Sequence, residues 1–252
     1  MNMQTQPVYE GMLAETVNLS GQNGDIISAC LAKPLGVGPH PGVILIHEAF
    51  GLVEHTKEQA RKFAHHGFIC ITPDLYHREG PGDPDDMPAV IQRMGSLSDA
   101  QVIADLEGAV TALRSVATFN GKIGCIGHCS GGRHTVLLAC NTKNLSAAVN
   151  CYGGRVVPDE LTTAKPKAVI DMVPDLSCPL LGLFGELDAN PSPAHVARLE
   201  EELKKAGKEY EFKSYPPDTG HGFFADYRPS YRQEPAVDGW QQIFNFFNKH
   251  LR

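Results

Sequence analysis

The chain reads as an α/β protein built on an open, mostly parallel, doubly wound sheet of about eight strands with helices on both faces. Two observations predict this. Short β-branched apolar runs alternate along the chain with segments of helical periodicity. Several of those runs are apolar throughout rather than alternating, as strands covered on both faces must be. At 252 residues the chain fits a single domain spanning 1–252, since α/β domains often run to this length.

The elements follow in order. Residues 16–19 and 25–33 are strands joined by the turn cluster Gly21-Gln22-Asn23-Gly24, an antiparallel hairpin. Gly42–His47 is a central strand, 56–66 a helix closed by Gly67, and Phe68–Asp74 the next strand. Ser98 and Gln101 have capping-box spacing before a crossover helix over 99–117. Strand 122–126, helix 132–141, strands 147–152 and 179–184, a helix from Ser192-Pro193 to Gly207 and strand 209–215 continue the alternation. A last helix opens at Pro235 and carries the stripe Val237, Trp240, Phe244, Phe247 and Leu251. Glu79–Pro88 and Pro158–Pro174 are surface excursions near strand carboxyl ends, where this architecture keeps its ligands, and the second is expected to cover the pocket.

Charge and cysteine usage narrow the function. The net charge of −7 is spread along the chain and offers no basic face for nucleic acid or an anionic membrane. No apolar run reaches the roughly 18–20 residues of a membrane span, and Met1–Pro7 lacks the form of a signal peptide. Seven cysteines, several inside strands, suit a reduced, cytoplasmic protein better than a disulfide framework. Adjacent His65-His66, the absence of HExxH or CxxC, and a lone Gly36-Val37-Gly38 argue against a metal or dinucleotide, so no cofactor is expected.

The chemistry centres on Gly127-His128-Cys129-Ser130-Gly131-Gly132, set between a strand and a helix. This is the form of a nucleophile elbow, whose sharp turn leaves no room for side chains two positions either side of the nucleophile. The nucleophile here is Cys129, and the helix N-terminus beyond it favours a thiolate and, later, an oxyanion. Asp188 follows a strand end, placed either to orient a base or, as a loop residue, to cap the helix near Ser192. His221, between Gly220 and Gly222 after the last strand, is placed as the general base. The chain order Cys129, Asp188, His221 is that of the fold's nucleophile, acid and histidine.

With these residues in place, the chain resembles the dienelactone hydrolase (carboxymethylenebutenolidase) family of the α/β-hydrolase superfamily, from Val43 to the last helix. His47-Glu48-Ala49-Phe50-Gly51-Leu52, Thr72–Tyr76 and Gly220-His221-Gly222-Phe223-Phe224 are similar to its motifs as well. The resemblance implies that Glu48 holds the resting thiol and releases it when substrate enters, and that the amides of Ala49 and Ser130 form the oxyanion hole. Like-charge repulsion gives this a physical basis, since a carboxylate beside the sulfur disfavours the thiolate. An ion pair between Glu48 and Arg133 is the competing role. Tyr152 resembles a pocket tyrosine, though a core position fits it too, and Phe50, in the acidic motif, is a further substrate-binding candidate.

One departure bears on substrate. The family clamps a substrate carboxylate with arginines, one of them four residues past the histidine, and that position is Ala225 here. Arg228, Arg93 and Arg78 are the alternatives, each of which could instead serve the surface. The expected activity is hydrolysis of a lactone or activated ester through a Cys129-His221-Asp188 triad and a thiol-acyl intermediate. The expected partner is a small-molecule ester or lactone, and the expected state a monomer or homodimer. Neutral aryl esters, thioesters or phosphotriesters are alternative substrates, and a non-catalytic ligand or redox sensor is the alternative of another class.

Overall fold

The computed structural model describes residues 9, 11–80, 82–158 and 160–252. The reading of Met1–Pro7 therefore lies outside the described residues. Strands β1 (Met12–Ser20), β2 (Ile26–Pro34), β3 (His40–Ile46), β4 (Ile69–Pro73), β5 (Phe119–His128), β6 (Ala147–Cys151), β7 (Leu180–Gly185) and β8 (Tyr210–Tyr215) form one sheet. Their order is β1-β2-β4-β3-β5-β6-β7-β8. β2 pairs antiparallel with both β1 and β4, and every other pairing is parallel. The β1–β2 hairpin turns through Asn23 (φ 58°) and Gly24 (φ 82°), as its composition predicts.

The helices are α1 (Glu54–His65), α2 (Met87–Ser96), α3 (Asp99–Arg114), α4 (Ser130–Asn141), α5 (Pro193–Lys205) and α6 (Gln233–Leu251). α3, α4 and α5 cover one sheet face and α1 and α6 the other. The alternation within β3 shows why its sequence is apolar throughout. Ile44 and Ile46 join a core with Leu106, Leu137 and Leu203, while Val43 and Leu45 join a second with Phe63, Phe244 and Phe247. Burying each such Leu, Ile or Phe stabilises the fold by roughly 1.5–3 kcal/mol.

Two expectations need correction, and one helix has no counterpart in the sequence reading. That helix is α2, which begins at the end of the Glu79–Pro88 excursion: it is short, carries Pro88 and Gly95, and is started by Asp86, whose carboxylate accepts the Ala89 amide at 3.1 Å. The α3 capping box is half formed. Ser98 Oγ accepts the Gln101 amide at 3.2 Å, but the Gln101 side chain donates to the Leu75 carbonyl instead. In α6 the buried stripe runs through Ala236, Gly239, Ile243, Phe244, Phe246, Phe247 and Leu251, leaving Val237 62% exposed. A 3.6-residue period centred on Ile243 carries position 237 past the edge of the buried face.

Candidate active site

The elbow is built by close backbone approach. Cys129 has φ 57° and ψ −123°, a strained conformation for a residue with a side chain, and its amide donates to the Cys151 carbonyl at 3.1 Å. A Cβ on Gly127 would strike the Gly131 carbonyl, and one on Gly131 would strike those of Ile46 and His47. The two glycines flanking the nucleophile therefore let β5 turn into α4 against β3. Ser130 is the first residue of α4, which puts its amide at the helix N-terminus beside the sulfur.

Asp188 lies three residues past β7 and is 5% exposed. Its Oδ1 accepts the Asn190 amide at 2.8 Å, and its Oδ2 accepts His221 Nδ1–H at 2.7 Å. With Nδ1 engaged, Nε2 is left to face the thiol. Burial works against a proton on His221, but the Asp188 hydrogen bond and the Cys129 sulfur outweigh it and push its pKa up to about 10. Cys129, His221, Ser130, Asn190 and His134 line one cavity of about 160 Å³. The site thus sits at the carboxyl ends of the parallel strands, where the fold places ligands.

Glu48 follows β3 and is buried. Its Oε2 accepts Arg228 Nη2–H at 2.9 Å, and its Oε1 accepts the Tyr152 hydroxyl at 3.4 Å. The competing role, an ion pair with an arginine, is realised with Arg228 and not with Arg133. Arg133, near the start of α4, makes a bidentate pair with Asp99 at 2.6 and 3.0 Å. Nor does a hydrogen bond join Glu48 to Cys129 among the described residues. The turn carrying Glu48 and Ala49 is pinned by His47, whose Nδ1–H donates to the Glu48 carbonyl at 2.7 Å while Nε2 accepts the Leu75 amide at 3.1 Å. Burial lowers the His47 pKa, which suits this neutral bridge.

Tyr152 is fully buried at the end of β6, with φ 41°, its ring edge-on to His221 at 5.1 Å between centroids. Burial, with Glu48 nearby, raises its pKa well above the usual value, so the hydroxyl stays a donor. Phe50 supports the Arg228 guanidinium at 4.2 Å, and the two line a separate cavity of about 540 Å³ with His55 and Tyr227. Arg93 lies over the Tyr76 ring and donates to the Gly80 carbonyl, and Arg78 pairs with Asp25 and Asp105. Neither of these last two lines the Cys129 cavity.

Sequence reasoning missed Arg155, Lys165, Asn190 and His134, all of which line that cavity. Arg155 was findable, because it follows Gly153-Gly154 directly after a strand's carboxyl end. Residues 160–174 are anchored beside this cavity, which Lys165 lines. Val169, Ile170 and Val173 are buried against the core, the Ala164 carbonyl accepts the Asp99 amide, and Lys165 Nζ donates to the carbonyls of Met94, Gly95 and Leu97.

The fold and elbow define an α/β-hydrolase-type enzyme that cleaves esters or lactones. The dienelactone hydrolase family profile matches residues 27–251, and the chain belongs to that family. A Methylorubrum extorquens protein named "Putative carboxymethylenebutenolidase" is 37% identical over 243 residues, covering 95% of this chain and 82% of its own. An Escherichia coli K12 protein of the same name is 38% identical over 234 residues, covering 90% and 84%. The crystal structure of a "Putative Dienelactone Hydrolase" from Klebsiella pneumoniae superposes with a TM-score of 0.88 at 35% identity, covering 94% of this chain and 99% of that one. Among the described residues, no helix is long and apolar enough to cross a membrane.

Proposed function

We propose that the chain hydrolyses a lactone or activated carboxylic ester by covalent thiol catalysis, with Cys129 as nucleophile, His221 as base and Asp188 as its orienting carboxylate. The observation that carries this is the 2.7 Å Asp188–His221 hydrogen bond in a cavity shared with the strained elbow residue Cys129. Asp188 holds the imidazole with Nε2 toward the sulfur, so the thiol proton passes to His221 and the sulfur attacks the carbonyl carbon. The raised His221 pKa keeps that proton available for the departing alkoxide. The acyl group then sits on sulfur. Water, deprotonated by His221, attacks the thioester and releases the acid and the thiolate.

The amides of Ala49 and Ser130 stabilise the tetrahedral oxyanion. No backbone hydrogen bond engages either amide among the described residues, and His47 keeps the turn carrying Ala49 in place. Glu48 adds negative charge, balanced by Arg228. A substrate that draws Arg228 away would free the carboxylate to act on the thiol.

The test uses p-nitrophenyl acetate with wild-type and Cys129→Ala protein. The expected result is hydrolysis by wild type, a transient mass increase of one acetyl group on Cys129, and a loss of at least about 10³-fold in the variant. Equal rates in the two proteins would overturn the assignment.

A further inference from the structure

The Cys129 cavity has a neighbour that the catalytic scheme leaves unused. A second cavity, of about 250 Å³, is lined in part by Pro158, Leu161 and Thr162 and shares Arg133, Arg155 and Lys165 with the first. Lys167 also lines it, and Glu160 is its acidic wall residue among the described ones. Four cationic side chains gather there on a chain whose net charge is −7.

These cations are not used alike. Arg133, with a side chain 6% exposed, commits both terminal nitrogens to Asp99, while its buried Nε has no hydrogen-bond partner among the described residues. Lys165 spends its three ammonium protons on backbone carbonyls, so it contributes charge rather than a free donor. Burial, then the nearby Arg133 and Arg155, lower its pKa, the mark of cations crowded together. Arg155 is held at φ 58°, its amide donating to Asn190 Oδ1 at 3.0 Å, and no ion pair engages its guanidinium among the described residues. The same is true of Lys167. With Arg133 balanced by Asp99, three cations and one carboxylate, Glu160, remain among the described lining residues.

We infer that this side cavity is an anion pocket for the substrate, selecting a phosphate-monoester dianion over a carboxylate on the part of the substrate away from the scissile carbonyl. It rests on the thiol reading only for which end of the joined cavities is reactive. The Arg155 guanidinium supplies a planar fork of donors and Lys167 a mobile ammonium, while Lys165 adds fixed charge. The pocket is distinct from Arg228, which lines another cavity and is paired with Glu48.

Titration calorimetry on the Cys129→Ala protein reads the pocket without turnover, with phenyl phosphate and benzoate as probes. Phenyl phosphate is expected to bind about tenfold or more tighter than benzoate, and Arg155→Gln or Lys167→Gln to remove most of that advantage. Equal affinity for the two probes would overturn the inference, as would loss of phosphate binding on Arg228→Gln but not on Arg155→Gln. On wild-type protein, phenyl phosphate should inhibit p-nitrophenyl acetate hydrolysis competitively. Non-competitive inhibition would remove the pocket's role in substrate binding. Phosphate binding that persists while Cys129 is never acylated would sink the thiol mechanism and leave the pocket standing.

Discussion

Asp188 acts on His221 through a single hydrogen bond, and the consequences at residue scale follow from it. Asp188→Asn keeps the shape but can present an N–H to Nδ1, favouring the wrong tautomer. The expected result is a fall of at least about 10²-fold in kcat for p-nitrophenyl acetate with Tm nearly unchanged, and a variant within twofold of wild type would remove Asp188 from the triad. The same substitution should lower the His221 pKa, measurable as an NMR titration of its ring protons. Because the folded pKa is raised, this group's stabilising effect is complete below about pH 6.5 and is lost as pH rises toward about 10. Cys151 and Cys178 carry no assigned chemistry. All seven cysteines are free thiols, and Cys151 supports the elbow through its carbonyl.

Element by element, capping and close approach matter more than propensity. Ser98→Ala removes the N-cap of α3 and should cost about 1 kcal/mol in urea denaturation. Gln101→Ala should cost less, since its side chain does not return to the Ser98 amide; equal costs would mean the half-formed box is complete in solution. At the elbow, Gly131→Ala puts a Cβ against the backbone carbonyls of Ile46 and His47, which cannot give way without shifting β3. A loss of about 3 kcal/mol or more, or failure to fold, is expected from such overpacking. A variant of wild-type stability would show that the turn relaxes.

For the molecule as a whole, buried charge and buried imidazole set the tolerance to substitution and pH. Asp99→Ala leaves Arg133 buried without its counter-charge and should destabilise by about 3–5 kcal/mol, measured by chemical denaturation. His128 is packed among Tyr152, Phe224 and Trp240, and burial lowers its pKa to about 3. Burial likewise holds His66 at about 4 and His134 well below the usual value. Neutral forms are thus favoured in the folded state, so their contribution is complete above about pH 6.5 and is lost as pH falls. The urea midpoint should drop between pH 7 and pH 5, and His128→Leu should flatten that slope; an unchanged slope would show that His128 does not report this way.

By itself the sequence determined the sheet's alternation, the elbow glycines around Cys129, and the chain order of acid and histidine. These follow from local rules: periodicity, turn chemistry, and the space a nucleophile needs at a strand-to-helix turn. It left the partner of Glu48 open, and its one candidate, Arg133, is 85 positions away along the chain, whereas the partner found, Arg228, is 180 away. Only the tertiary structure decided that pairing, because ion pairs are chosen by which strand ends and loops meet in space. The same holds for the helix stripe that leaves Val237 exposed, and for the gathering of Arg155, Lys165 and Lys167 around the cavity next to that of Cys129. Local pattern specifies what each segment becomes, while packing of the whole chain selects which charges end up facing one another.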